Sequence, residues 1–176
     1  MAINSSGNLT NANLLSQSFA NLFNLLNNKS NVPDPLNSNS TRQFVYSREP
    51  NILHQKFEGY PFVIIWPTRA SFSEFNLAQD TSKIDFDFMI EVRCTDNLRG
   101  LEGSGKAGRT AQIYLDEISD DIIKTLLDSN NRKILNVYGL GTPVVDTQDI
   151  DAQDVNDDLV WVRNIMVTFK KRLRTG

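Results

Sequence analysis

Apolar residues recur along this chain at two different periods, and the switches between them mark out its elements. Residues 84–94 alternate most regularly. Ile84, Phe86, Phe88, Ile90, Val92 and Cys94 fall on one side, with Asp85, Asp87, Glu91 and Arg93 on the other and Met89 the exception. A two-residue period is that of a strand with one packed face. Residues 158–174 repeat the pattern at greater length. Leu159, Trp161, Ile165, Val167, Phe169 and Leu173 share one side, interrupted by Arg163, and the segment ends in a basic cluster. Residues 60–66 are continuously apolar through Phe62-Val63-Ile64-Ile65-Trp66, between Pro61 and Pro67, as suits a strand covered on both faces. Residues 42–46 and 133–138 read as two further, shorter strands, the latter stopped by Gly139 and Gly141.

The helical period governs two segments. Over residues 10–28, Leu15, Phe19, Leu22 and Leu26 form one stripe, flanked by Leu14, Phe23 and Leu25, with Thr10, Asn11 and Asn13 as candidate N-caps. Asn24, Asn27 and Asn28 are poor helix formers, so packing must hold this helix. Over residues 110–128, Ala111, Leu115, Ile118, Ile122 and Leu126 form the stripe, with Asp116, Glu117, Asp120 and Asp121 outside it. The order is helix, three strands, helix, two strands. It predicts an α/β (α+β) fold, a mixed, mostly antiparallel sheet of about five strands with helices on one face. Trp66 and Trp161, both on strongly apolar strands, are expected to lie in one core.

Residues 1–41 read as an N-terminal helix followed by a flexible Asn/Ser/Pro-rich linker, in which Pro33 and Pro35 exclude helix. Residues 42–176 then form a single α+β domain. A length of 176 residues suffices for one real core, and 40% hydrophobic with 22% charged content is that of a globular chain. No apolar run approaches the length of a membrane span, and the N-terminus does not read as a secretory signal. A single cysteine, Cys94, excludes an internal disulfide.

A net charge of -3 argues against broad nucleic-acid binding, and no sequence-specific nucleic-acid partner is expected, but the distribution of charge is uneven. Residues 146–158 hold Asp146, Asp149, Asp151, Asp154, Asp157 and Asp158 with no base, and read as an acidic surface loop. Arg163, Lys170, Lys171, Arg172 and Arg174 follow directly. With both signs on one chain, head-to-tail association is physically reasonable. The candidate subunit-contact residues are therefore Asp149, Asp151, Asp154, Asp157, Lys170, Lys171, Arg172 and Arg174.

Three chemical motifs fall short on their own requirements. Gly100 to Lys106 matches the first part of a phosphate-binding loop, but Ala107 stands where a hydroxyl should meet magnesium, and no nucleotide is expected there. The aspartates from 149 onward have alternate calcium-ligand spacing without the required glycine, and Val160 occupies the twelfth position in place of a glutamate. His54, the single histidine, has no nucleophile beside it in sequence. Asp85, Asp87 and Glu91 share one strand face and read as solvated carboxylates rather than an acid–base pair. No catalytic residue, cofactor or metal is expected.

The leading helix, the strand from Tyr60 to Pro67, the amphipathic helix over residues 110–127 and the closing strand through Leu173 together resemble the tail terminator (tail completion) proteins of long-tailed bacteriophages. The likeness covers roughly residues 42–174. It implies a non-enzymatic virion protein, made in the host cytoplasm, that forms a hexameric ring at the head-proximal end of the tail. Its implied partners are further copies of itself, the tail tube protein and a neck or connector protein. A head-completion (stopper) protein or other neck or tube component is the alternative within the particle. A small P-loop-like nucleotide-binding enzyme is the alternative outside it.

Overall fold

Residues 14–36, 42–52, 59–76, 81–95, 111–135, 144–155 and 158–174 are described by a computed structural model. Among them the chain forms three helices and five strands. These are α1 Leu14–Leu26, β1 Val45–Tyr46, β2 Phe62–Asn76, β3 Thr81–Thr95, α2 Ala111–Leu127, α3 Ser129–Ile134, β4 Val144–Val155 and β5 Asp158–Arg174. The strands make one mixed sheet in the order β1-β2-β3-β5-β4, in which only the short β1–β2 pair is parallel. The α+β class and the mostly antiparallel sheet expected from the sequence are those of the structure.

The two-residue period of β3 does what an alternating strand should. Ile84, Phe86, Phe88, Ile90, Val92 and Cys94 are all fully buried. They join Val63 and Ile65 of β2 and Ile165, Val167 and Phe169 of β5 in one apolar cluster. The buried apolar helix positions belong to this same cluster: Leu22, Leu25 and Leu26 of α1, and Ala111, Tyr114, Leu115, Ile118, Ile122 and Leu126 of α2. The helices thus cover one face of the sheet. The stripe read on α2 is the stripe it buries, and α1 is held, as its asparagines require, by packing rather than propensity. Its candidate N-caps, Thr10, Asn11 and Asn13, lie outside the described residues.

The opposite face carries a smaller cluster of Tyr46, Tyr60, Phe62, Ile64, Val160 and Val162. Phe62 to Ile65 are therefore buried on both faces, as a continuous apolar run demands. This arrangement corrects the expectation for the tryptophans. Trp66 packs against the smaller cluster and Trp161 against the helix-covered one, so the sheet lies between them.

Two elements differ from the sequence reading. The strand expected over residues 133–138 does not begin where it should, because Lys133 and Ile134 close α3; residues 136–138 lie outside the described residues. Asp128 is the N-cap, its Oδ1 accepting the Asn130 N–H at 2.7 Å, and the Leu135 N–H donates to the Asn131 carbonyl. Residues 144–155 are not a loop but β4, paired antiparallel with β5 from Val144↔Thr168 to Val155↔Asp158. β4 is an edge strand. Main-chain pairing to β5 holds it, with Val145 half-buried and Val144, Asp146, Thr147, Gln148 and Asp149 exposed. An apolar period cannot reveal a strand that buries so little of itself.

The segment after α1 is tied to the rest of the molecule at two places. Thr125 of α2 donates to the Asn31 carbonyl at 3.1 Å, and Val32 is buried in the main cluster. Asp34, 1% exposed, receives the Arg42 guanidinium through Nε at 2.7 Å and Nη2 at 2.8 Å. The same guanidinium donates to the carbonyls of Gly59 and Pro61, at 2.9 and 2.8 Å. One side chain therefore joins the exit of α1, the approach to β1 and the turn that enters β2.

Candidate subunit-contact site

Of the acidic and basic residues singled out in the sequence, those described lie on the neighbouring strands β4 and β5. Asp146 and Asp149 are on the exposed part of β4; Asp154 is on the same strand opposite Leu159, and Asp151 lies in the irregularity of that strand between Ile150 and Gln153. Asp157 lies outside the described residues, between β4 and β5. Lys170, Lys171, Arg172 and Arg174 continue β5 past the start of β4, opposite Asp85, Ile84, Lys83 and Thr81 of β3. Lys170 is half-buried, and it alone of the four has a described side chain.

Arg163 explains both the break in the β5 stripe and the fate of one carboxylate. It lies on the helix side of the sheet, where its side chain is only 12% exposed. From there it bridges β4 to α2. Its Nη2 donates to Asp149 Oδ2 at 3.1 Å and its Nη1 to Asp116 Oδ1 at 2.6 Å. The hydrogen bonds donated by Arg163 hold the Asp149 carboxyl below the ordinary aspartate range, and the same bonds to Asp149 raise the pKa of Arg163. Asp149 is thus engaged within its own chain. Asp146 Oδ1 accepts the Thr147 N–H at 3.0 Å, a local bond, and among the described residues no base pairs with it.

This bridge makes a pH prediction. A carboxyl whose folded pKa is depressed contributes stability that is fully present above its unfolded pKa, about 3.9, and is lost as pH falls through the folded value. Arg163→Gln is expected to lower stability by about 1 kcal/mol at pH 7, because both carboxylates are more than half exposed. The difference between parent and variant should shrink as pH is lowered from 6 to about 3, read as converging urea midpoints. Midpoints that stay equally far apart at pH 3 would mean that Arg163 acts through packing alone.

The carboxylates on the open sheet face are engaged as well. Thr168 Oγ1 donates to Asp87 Oδ1 at 2.8 Å, and Thr68 Oγ1 donates to the Asp87 carbonyl. Arg93 binds Glu91 on its own strand and Glu49 at 2.7 Å, with its guanidinium 5.9 Å from the Phe62 ring centre. Burial works against the Arg93 charge, but Glu49 and Glu91 together hold its pKa above the ordinary value. The pairings are structural, but the carboxylates are not freely solvated as the sequence suggested: Glu91 is buried and Asp85 and Asp87 are half-buried, because the apolar cluster around Phe62 and Ile64 covers part of this face. His54 and the glycine-rich segment from Gly100 to Ala107 lie outside the described residues. Among those described, no three His, Cys, Asp or Glu residues gather where they could hold a metal ion, and no helix is long and apolar enough to cross a membrane.

What sequence reasoning missed here is the edge. The acidic segment read as a loop is the terminal strand of the sheet, and Arg163, read as an interruption, is the side chain that pins it. An arginine at an inward strand position, fourteen residues after an aspartate across a hairpin, was the available signal. The chain matches no protein-family model and no curated protein sequence.

Proposed function

We propose that the chain is a structural subunit of the tail-terminator type. In this reading it forms a ring at the head-proximal end of a phage tail, meeting the tail tube on one side and a neck protein on the other. The observation that carries the proposal is the acidic terminal strand β4 next to β5, whose basic end runs on past the start of β4, on a sheet with one face packed with helices. A subunit with opposite charges on separate parts of one sheet side associates head to tail, and such contacts close into a ring when their rotation divides a full turn. Exposed charge pairs contribute roughly 0–1 kcal/mol each, so they set register while apolar contacts supply affinity.

The test is to replace Lys170, Lys171, Arg172 and Arg174 by serine. Assembly should weaken at moderate salt, followed by sedimentation, while the melting temperature of the monomer stays nearly unchanged. A variant that assembles as readily as the parent would remove the basic run from the contact. Electron micrographs of the purified parent should show rings; a protein that remains monomeric at high concentration would sink the reading.

A further inference from the structure

The sheet has two edges that no described residue covers, and their directions are matched. On one side, β1 pairs only with Val63 and Ile64, so residues 66–76 of β2 keep a free edge. On the other side, nothing described lies beyond β4. Between them, β2–β3, β3–β5 and β5–β4 are all antiparallel, so three reversals leave β4 running opposite to β2. A rotation that carries one copy to the next without turning the sheet over preserves strand sense. The next copy's β2 then arrives antiparallel to β4, with every helix layer on the same side.

We propose that the ring contact is strand addition: the outer edge of β4 pairs with the free edge of β2, residues 66–76, of a second copy. The inference rests on the ring reading above and names its contact. A β4–β4 contact would put Asp146, Asp149, Asp151 and Asp154 of one copy against the same four of the other, with no base on either strand. Like charges across a strand pair are destabilising, so the edge rejects its own twin. The stretch of β2 facing it carries Arg69, which is exposed, and Glu74, so its net charge is zero where a second β4 would bring four carboxylates. Pro67 offers no N–H, but prolines belong on edge strands, and the bulge between Pro67 and Arg69 already interrupts the ladder there.

The stagger sets the strand tilt. Val144 pairs with Thr168, Thr168 with Asp87 and Asp87 with Arg69, so Val144 and Arg69 of one chain are level. Laying β4 along residues 66–76 of a neighbour requires a slip of about seven residues, or roughly 23 Å at strand rise. Four strand spacings, about 19 Å, separate β2 from the β2 of the next copy, so the slip corresponds to a strand tilt of about 50°, somewhat steeper than the roughly 35–45° of closed sheets.

The contact is tested by cross-linking Gln148→Cys and Arg69→Cys, both at exposed positions, with a bifunctional maleimide of roughly 10 Å reach, about three residues of strand. Cys94 is fully buried and out of the reagent's reach. Within one chain the two new thiols are about 20 Å apart by strand spacing and rise, too far for the linker. The double variant should give a ladder of covalent multimers, and each single variant should remain monomeric on a denaturing gel. Covalent dimers from either single variant would show an edge paired with its twin and overturn the proposal. So would an absence of ladder in a double variant that sediments as an assembly, which leaves the ring reading standing. A double variant and parent that both sediment as monomers remove the ring reading and this contact together.

Discussion

Replacing Arg42 by methionine is expected to destabilise the protein by about 3–5 kcal/mol, the cost of stripping the partner from a buried charge. The size follows from what the guanidinium does. It gives two hydrogen bonds to Asp34, whose side chain is fully buried, and one each to the carbonyls of Gly59 and Pro61. Asp34 Oδ1 also accepts the Leu36 N–H at 3.0 Å, so the carboxylate cannot swing out to water without breaking the turn it organises. The double variant Asp34→Leu with Arg42→Met should recover most of the loss, because no charge is then left unpaired. Urea unfolding at neutral pH measures both. A single-variant loss below about 1 kcal/mol would place Asp34 in contact with water and reduce the pair to an ordinary surface bridge.

The other large effect is expected in the main cluster. Phe88→Ala should cost about 3–5 kcal/mol, through lost burial together with an incompletely collapsed cavity. Phe88 is fully buried among other side chains. Its ring centre lies 6.4 Å from that of Phe19 and 5.8 Å from that of Phe169, so it joins α1, β3 and β5. Phe88→Leu keeps most of the volume and should cost about 1–2 kcal/mol. If the alanine and leucine variants lose the same amount, Phe88 is not the junction between helix and sheet that its position indicates. The alanine variant should also increase the exposure of α1 to proteolysis, because Phe88 is where Phe19 of that helix meets the sheet.

The candidate contact site was partly legible before the fold was known. Charge separation between Asp146–Asp158 and Lys170–Arg174 is a property of composition along the chain, and the strand order keeps the two runs on neighbouring strands. The division of labour within it is not legible in the same way. Arg163 is one of the basic residues in sequence, yet it faces the helices and neutralises Asp149 and Asp116 inside the molecule. Asp146, three residues before Asp149, stands on the opposite side of the same strand, beside Met166 in register. Alternation of side chains along β4 therefore separates an aspartate held internally from one that faces outward.

The sequence by itself determined every element that buries a periodic stripe. β3 and the central part of β5 needed no context, because a half-buried strand must alternate. α2 needed none because its apolar residues recur at helical spacing. Those patterns also carried the class of fold, since long alternating strands with two amphipathic helices have few ways to cover one sheet. Tertiary structure decided what has no stripe. β4 is a strand because β5 offers it an unpaired edge, and its own side chains, mostly exposed where described, record almost nothing of that. α3 forms because Asp128 caps it and α2 delivers the chain there, although its sequence carries too few apolar residues to show a period. The separation of Trp66 from Trp161 was likewise decided by the sheet. Two apolar strands announce that each tryptophan packs, but only the register between strands determines on which face.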